Sequence, residues 1–264
     1  MTKASLAEVF DRARQERRAA LIGYLPASFP TKERSISAIA AMIEGGVDIV
    51  EVGLPYSDPI MDGPVIQRAT EQAIANGFHV NDIFEVVQSV SVPALVMSYW
   101  NPIERFGVDR FTESLKMAGG SGVITPDLTI EESEAWGIAM ERNSLDRVYV
   151  IAPSTTEERL AKVVSQCSGF VYAASLMGVT GARTEMSASA SELVSRIREI
   201  SMTPICVGLG VSTGPQAKSI AQYADGVIVG SAFIKLILDS ASEAEANARL
   251  RALAAELSAS LSRD

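Results

Sequence analysis

Short apolar runs and amphipathic segments alternate along the whole chain. The apolar runs predict eight β-strands, at 21–25, 48–52, 94–99, 122–125, 147–152, 169–175, 204–208 and 226–230. Between them, apolar residues at helical spacing predict helices at 31–44, 64–76, 79–90, 111–118, 130–142, 156–166, 188–200 and 213–223. A helix at 4–18 precedes the first strand, with an apolar stripe formed by Leu6, Val9, Phe10 and Ala13. A closing helix carries Leu250, Leu253, Leu257 and Leu261 on one face.

This order of elements predicts one α/β domain over residues 1–264, because no linker or low-complexity tract interrupts it. Alternating strands and helices form a parallel sheet with right-handed crossovers. Eight such units in about 250 residues match a closed (β/α)₈ TIM barrel, here with an extra N-terminal helix and extra helices after strands two and eight. An open doubly wound sheet would have two more polar edge strands. It would also have a glycine-rich turn after strand one, where this chain has Leu25-Pro-Ala-Ser-Phe-Pro30.

Composition and charge exclude several classes of function. A hydrophobic content of 47% and a net charge of −9 are typical of a soluble globular protein that repels nucleic-acid phosphates. The first residues lack a signal-peptide pattern and no apolar run could span a membrane, so we expect a cytoplasmic protein. Cys167 and Cys206 are far apart in the sequence and form no CxxC motif, which is typical of reduced thiols in a protein core. Because His79 is the single histidine, we do not expect a metal site, and any proton transfer must use carboxylates, Tyr or Lys.

The stretch from Asp48 to Pro64 places an acid inside a buried strand. Glu51 interrupts a β-branched run, and an ionised carboxylate there costs several kcal/mol unless it is paired or neutral. It is therefore half of a buried ion pair or a working acid. Burial alone slightly favours the ion pair, but a second acid, Asp62, follows beside Gly63, where a tight turn can direct it back to the strand end. That neighbour favours catalysis, since barrel active sites lie at the C-terminal strand ends.

Glycine turns follow the last three strands. They are Gly178-Val-Thr-Gly181, Gly208-Leu-Gly210 and Gly230-Ser231, and Ser231 could begin a short helix. Free backbone N–H groups at such turns and at a helix N-terminus bind anions without side-chain charge. The loops after strands seven and eight are also the usual phosphate position in this fold. The sequence therefore predicts a phosphoester ligand.

These motifs together resemble one family, the α subunit of tryptophan synthase. Its signature is similar to Glu51-Val-Gly-Leu-Pro-Tyr-Ser-Asp-Pro-Ile-Met-Asp-Gly-Pro64, and its strand-six loop to Tyr172-Ala-Ala-Ser-Leu-Met-Gly-Val-Thr-Gly-Ala-Arg183. Its phosphate loops resemble Val207-Gly-Leu-Gly-Val-Ser212 and Gly226-Val-Ile-Val-Gly-Ser-Ala232. The resemblance implies a lyase of tryptophan biosynthesis that splits indole-3-glycerol phosphate into indole and glyceraldehyde 3-phosphate. It implies no cofactor in this chain and an α₂β₂ heterotetramer with a β subunit that carries PLP.

The resemblance also assigns roles to single residues. Glu51 matches the acid–base that protonates indole C3, and Asp62 matches the carboxylate that faces the indole N–H. Matches to substrate-binding positions are Tyr172, Thr180, Gly181, Gly210, Gly230 and Ser231, and matches to the β-subunit contact are Asp58 and Asn101. One departure is the turn Ala27-Ser-Phe-Pro30, which replaces a Gly-Asp-Pro turn common in the family and leaves the interface detail there open.

Alternatives remain open at several positions. Another phosphate-binding barrel lyase or isomerase would share the glycine loops, although none of the lysines falls at a predicted strand end, and a non-catalytic regulatory subunit is a second alternative. Tyr172 could be a core residue rather than a cavity residue, and Asp127 favours a helix N-cap over catalysis. Ile60 and Met61 could meet a partner or fold inward. The small and polar segment 182–191 predicts a mobile lid.

Overall fold

The β-branched run that follows Asp48 forms one of eight parallel strands that close into a barrel. The structure, a computed structural model, describes residues 3–174, 183–208 and 210–263. Within these ranges the strands pair in chain order and the eighth pairs with the first, which confirms the predicted TIM barrel. The strands are β1 (Ala20–Pro26), β2 (Ile49–Gly53), β3 (Ala94–Met97), β4 (Gly122–Thr125), β5 (Asp146–Ile151), β6 (Val171–Ala174), β7 (Ile205–Gly208) and β8 (Gly226–Val229).

Helices connect the strands and cover the outside of the barrel. In the part of the chain given above they are α1 (Leu6–Gln15), α2 (Lys32–Glu44), α3 (Pro64–Ala75), α4 (Val80–Ser89), α5 (Trp100–Phe106), α6 (Val108–Met117), α7 (Glu134–Arg142), α8 (Glu157–Gln166), α9 (Arg183–Ile200), α10 (Gly214–Ala221), α11 (Ser231–Leu238) and α12 (Glu243–Ala259). A short 3₁₀ turn, Ile130–Glu132, precedes α7. The expected extra helices are α1, the pair α3 and α4 after β2, and the pair α11 and α12 after β8.

Two elements differ from the sequence expectation. A separate helix, α5, follows β3, although Pro102 near its start makes that segment resemble a loop; proline is tolerated there because the first-turn N–H groups have no intrahelical acceptor. Helix α9 begins at Arg183 rather than at 188. It therefore includes most of the segment 182–191 that was expected to be a lid, because Ser and Ala do not prevent a helix when it has neighbours to pack against.

The strand residues alternate between an inner and an outer core. Outward residues pack against the helices, whereas one inner cluster contains Ile22, Ile49, Leu95, Ile124, Val148, Phe170, Cys206 and Ile228. Helix α1 closes the end of the barrel where the strands begin, because its predicted stripe Leu6, Val9, Phe10 and Ala13 is buried in this cluster. The Phe10 ring lies edge-on to Phe170, with centroids 6.1 Å apart.

An ion pair secures the same end of the barrel. The Arg18 guanidinium donates to both carboxylate oxygens of Asp48, at 2.6 and 2.9 Å. Asp48 also accepts from the backbone N–H of Leu21, at 2.9 Å, and so joins β1 to the start of β2. The hydrogen bond with Asp48 raises the pKa of Arg18. This arrangement fixes the first two strands relative to α1 and leaves the opposite end of the barrel for function.

Candidate active site

A cavity of about 350 Å³ opens at the C-terminal ends of the strands. Six of the residues that were predicted to form the site line it, namely Glu51, Asp62, Tyr172, Gly210, Gly230 and Ser231. They come from β2, β6, the loop after β2, and the loops after β7 and β8. The other two predicted substrate contacts, Thr180 and Gly181, lie outside the described residues. The cavity therefore brings together both acids and the described glycine turns.

Glu51 points from β2 into this cavity and is almost completely buried. It is 1% exposed, and neither carboxylate oxygen has a hydrogen-bond partner among the described residues. Burial without compensation favours the neutral acid and raises the pKa of Glu51 to about 8. Of the two alternatives for this residue, the buried ion pair is therefore not the one observed in the described part of the chain.

Asp62 lies on the loop between β2 and α3, at the rim of the same cavity. Tyr99, which follows β3, stabilises this loop: its hydroxyl accepts a hydrogen bond from the backbone N–H of Met61 at 3.0 Å. Gln67 of α3 donates to the Asp62 backbone carbonyl at 2.8 Å. Burial raises the pKa of Asp62, and a hydrogen bond from the Tyr99 hydroxyl acts in the opposite direction. Asp62 is thus the more solvated acid and has the hydrogen-bond donor that Glu51 lacks.

The outer side of this loop reaches the surface. The Asn101 side chain donates to the Tyr56 hydroxyl at 3.1 Å, and the Tyr56 ring lies 5.5 Å from the Tyr99 ring, centroid to centroid. Asp58 is exposed beside Ser57, with which it shares a hydrogen bond. Asn101 and Asp58, the predicted partner contacts, therefore do not line the cavity but lie on the surface next to it.

The apolar loop tip does not fold into the core. Ile60 is 75% exposed and Met61 47% exposed, and Met61 also forms part of the cavity rim. In contrast, Ala27, Ser28 and Phe29 of the unusual turn after β1 are buried. Of these two turns, the Asp62 loop therefore presents accessible apolar side chains, and the buried residues of the 27–30 turn do not.

The opposite side of the cavity is built from backbone. Gly210 has a φ of +65°, which favours glycine, and Gly230 caps α11, so that Ser231 begins the helix. The first backbone N–H groups of α11 have no acceptor within the helix. The resulting partial positive charge at a cavity wall suits a phosphate group.

The structure also bears on the alternatives that the sequence left open for Tyr172 and Asp127. Tyr172 points inward from β6, and its hydroxyl lies 2.5 Å from where a Cβ of residue 208 would stand, so glycine at 208 is required there. Tyr172 is thus part of the cavity wall. The Asp127 carboxylate does serve a helix start, but not that of the helix that follows it. It accepts from the backbone N–H of Trp100, at 2.9 Å, the first residue of α5, whose N-cap residue is Tyr99.

Several residues that line the cavity were not predicted from the sequence, and four of them point inward from the barrel strands. These four are Tyr24, Met97, Val150 and Ile228. Their type is ordinary for a barrel interior, so only the inward register identifies them, for example the pairing of Tyr24 on β1 with Glu51 on β2. Three of the four are apolar, which gives the cavity a surface suited to a hydrophobic ring.

Known proteins similar to this chain point to one family. Residues 10–262 match the family model described as "Tryptophan synthase alpha chain". The tryptophan synthase alpha chain of Acidothermus cellulolyticus is 50% identical, with 98% of this chain and 97% of the relative covered. A tryptophan synthase structure from Mycobacterium tuberculosis contains a chain with 50% identity and a TM-score of 0.90, covering 98% of both chains. The alpha subunit from Legionella pneumophila has 30% identity and a TM-score of 0.87, with 97% of each chain covered.

The chain belongs to the tryptophan synthase alpha chain family. The α chain of this enzyme is a carbon–carbon lyase of tryptophan biosynthesis that cleaves indole-3-glycerol phosphate. Membership thus confirms the reaction expected from the resemblance. The substrate of that reaction has three distinct parts, an apolar ring, a hydroxylated chain and a phosphate.

Two features of the described ranges bear on other functions. No three His, Cys, Asp or Glu side chains lie close enough together there to hold a metal ion. None of the helices in the same ranges is both long enough and apolar enough to cross a membrane. That this chain needs no cofactor stays a prediction.

Proposed function

We propose that Glu51 and Asp62 carry out the retro-aldol cleavage of indole-3-glycerol phosphate to indole and glyceraldehyde 3-phosphate, with no cofactor in this chain. One observation supports this assignment above all others: a carboxyl group without a partner among the described residues faces a cavity in which its pKa is about 8. An acid in this state still holds its proton at neutral pH and has no structural hydrogen bond to break before it reacts.

In the first step the neutral Glu51 transfers its proton to indole C3. The ring then carries a positive charge that is centred on its nitrogen, because C3 has become tetrahedral. Asp62, at the cavity rim, accepts a hydrogen bond from the ring N–H and stabilises the charge. Indole is a poor leaving group as a carbanion, so this protonation is what makes the later bond cleavage possible.

In the second step the Glu51 carboxylate removes the proton from the glycerol hydroxyl next to the ring. The electrons of that O–H bond form the aldehyde C=O, and the electrons of the breaking C–C bond return to the ring and neutralise its nitrogen. Glu51 receives one proton for the one it donated and is ready for the next turnover. Indole and glyceraldehyde 3-phosphate are the products, with every atom of the substrate accounted for.

The phosphate of the substrate binds to the glycine-rich side of the cavity. Gly210, Gly230 and Ser231 supply backbone N–H groups and a hydroxyl there. The family resemblance adds Gly181 as a further phosphate contact and Thr180 as a residue that closes onto Asp62. Tyr172 forms part of the wall beside the indole ring.

The exposed side of the Asp62 loop is the proposed contact with a β subunit that carries PLP, in an α₂β₂ heterotetramer in the cytoplasm. Asp58, Asn101 and the exposed Ile60 support it, because an apolar side chain at a loop tip gains free energy when a partner covers it. We also propose that residues 1–264 form a single domain, which the closure of all eight strands into one barrel supports.

The substitution Glu51→Gln tests the catalytic assignment. Glutamine keeps the shape of the side chain but cannot donate a proton to carbon, so kcat for indole release should fall at least 10²–10⁴-fold. Affinity for indole-3-propanol phosphate, an unreactive analogue, should stay within about one order of magnitude, because the charge of Glu51 plays no part in binding. In the wild type, kcat/KM should decline above about pH 8, as the acid loses its proton.

The exposed Glu71→Gln of α3 is the matched control, because it makes the same chemical change outside the cavity. Indole release by Glu51→Gln at the wild-type rate would overturn the assignment of Glu51. No indole release by the wild type, alone or with a β subunit, would favour the non-catalytic alternative.

A further inference from the structure

Tyr24 occupies the middle of the cavity wall, between the acids and the glycine turns. It points inward from β1 and lies beside Glu51 in the strand register. Its ring fills space left by two glycines, Gly53 at the end of β2 and Gly230 directly after β8. A Cβ on Gly230 would lie 3.0 Å from Cδ1 of the ring, and a Cβ on Gly53 would lie 2.3 Å from the hydroxyl oxygen. The ring therefore begins near the phosphate side and its hydroxyl ends near the acids.

The Tyr24 hydroxyl has no hydrogen bond to any described residue. The residue is 7% exposed and belongs to the cavity lining, so this remaining exposure faces the cavity. Buried hydroxyl groups in proteins nearly always have a partner, and a phenol can both donate and accept. Phenylalanine would fill the same space with the same ring, so the packing does not require the oxygen. The hydroxyl is thus available to a ligand inside the cavity.

The position of the hydroxyl indicates which part of the ligand it meets. Burial raises the pKa of Tyr24, and the nearby carboxyl groups of Asp62 and Glu51 add to this rise, whereas Gly230 lies at the other end of the ring. If the indole ring lies at the acids and the phosphate at Gly230 and Ser231, the chain between them passes the Tyr24 side chain. In indole-3-glycerol phosphate that chain carries two hydroxyl groups, which are the only other hydrogen-bonding groups of the ligand.

We propose that the Tyr24 hydroxyl hydrogen-bonds the glycerol hydroxyls of the substrate, and so selects a hydroxylated chain over a deoxygenated one. The inference rests on the proposed function, because that function supplies the ligand and its orientation. The selection has a simple cause. A ligand without these hydroxyls covers the Tyr24 oxygen and leaves it with no partner, whereas the correct ligand satisfies it.

The substitution Tyr24→Phe, compared on two ligands, tests the proposal in the full chain. Indole-3-glycerol phosphate has the glycerol hydroxyls, and indole-3-propanol phosphate has the same ring and phosphate but lacks them. Loss of one hydrogen bond should lower kcat/KM for indole-3-glycerol phosphate about tenfold. The dissociation constant for indole-3-propanol phosphate, measured by calorimetry, should change less than about twofold or become tighter.

Tyr149→Phe is the matched control, since Tyr149 lies on β5 in the outer core that packs against the helices. It removes a buried phenol oxygen away from the cavity and should change neither ligand constant. Equal losses for both ligands in Tyr24→Phe, or no loss for either, would overturn the proposal. Failure of the wild type to cleave indole-3-glycerol phosphate would instead refute the proposed function, and the two ligand affinities would still test the hydroxyl contact.

Discussion

The burial of Glu51 has a consequence for stability as well as for catalysis. A carboxyl group whose pKa rises from 4.5 to about 8 on folding holds its proton in the folded chain at pH values where the unfolded chain has lost it. The folded state therefore binds more protons between these two pH values, and the free energy of unfolding falls as pH rises through that window. This contribution is fully present below about pH 4.5 and is lost above about pH 8.

Replacement of Glu51 by glutamine removes this titration and keeps the side-chain volume. Each pH unit in the window is worth about 1.4 kcal/mol, so a pKa change from 4.5 to about 8 corresponds to about 5 kcal/mol in total. Relative to the wild type, Glu51→Gln should therefore gain unfolding free energy as pH increases. The gain should reach about 3 kcal/mol between pH 5.5 and pH 8.

Urea unfolding of both proteins across this pH range, followed by circular dichroism, measures the difference. Glu71→Gln, on the exposed face of α3, makes the same change from acid to amide and should show no comparable pH-dependent gain. A difference between Glu51→Gln and wild type that stays constant with pH would refute the reasoning. It would mean that Glu51 is charged or solvated in the folded protein.

Two further substitutions test the supports of the site and of the barrel. Tyr99→Phe removes the hydroxyl that accepts from the Met61 N–H and that lies beside Asp62. In steady-state assays, kcat/KM for indole-3-glycerol phosphate should therefore fall about tenfold. An unchanged kcat/KM would contradict a positioning role for Tyr99. Asp48→Ala leaves Arg18 and the Leu21 N–H without this partner and should lower the free energy of unfolding by about 3 kcal/mol in urea. The kinetic constants of Asp48→Ala should match those of the wild type. A loss of unfolding free energy below about 1 kcal/mol would show that the ion pair between Arg18 and Asp48 is dispensable.

The barrel was predictable because the strands are mainly apolar on both faces and the helices between them carry an apolar face. The stripe of α1 is a direct example, since all four of its predicted residues are buried. The start of α9 and the existence of α5 were not predictable in the same way. Proline and small polar residues are compatible with a loop or with a helix, and tertiary packing decides between them.

The site was predictable where a residue violated its local pattern. Glu51 stands out because an acid is costly in a buried strand, and Gly230 because three strands in succession end in glycine. Tyr24 gives no such signal, because an aromatic residue in an apolar strand resembles any core residue. Its importance depends on the strand register and on the glycines beside it, which only the folded chain reveals.

Helix α1 affects how molecules enter and leave the protein. It fills the end of the barrel opposite the acids with Leu6, Val9, Phe10 and Ala13, and so closes the barrel axis at that end in the described part of the chain. Within the same described residues, the cavity at the C-terminal strand ends lies on the side of the acids, so substrate must enter from that side.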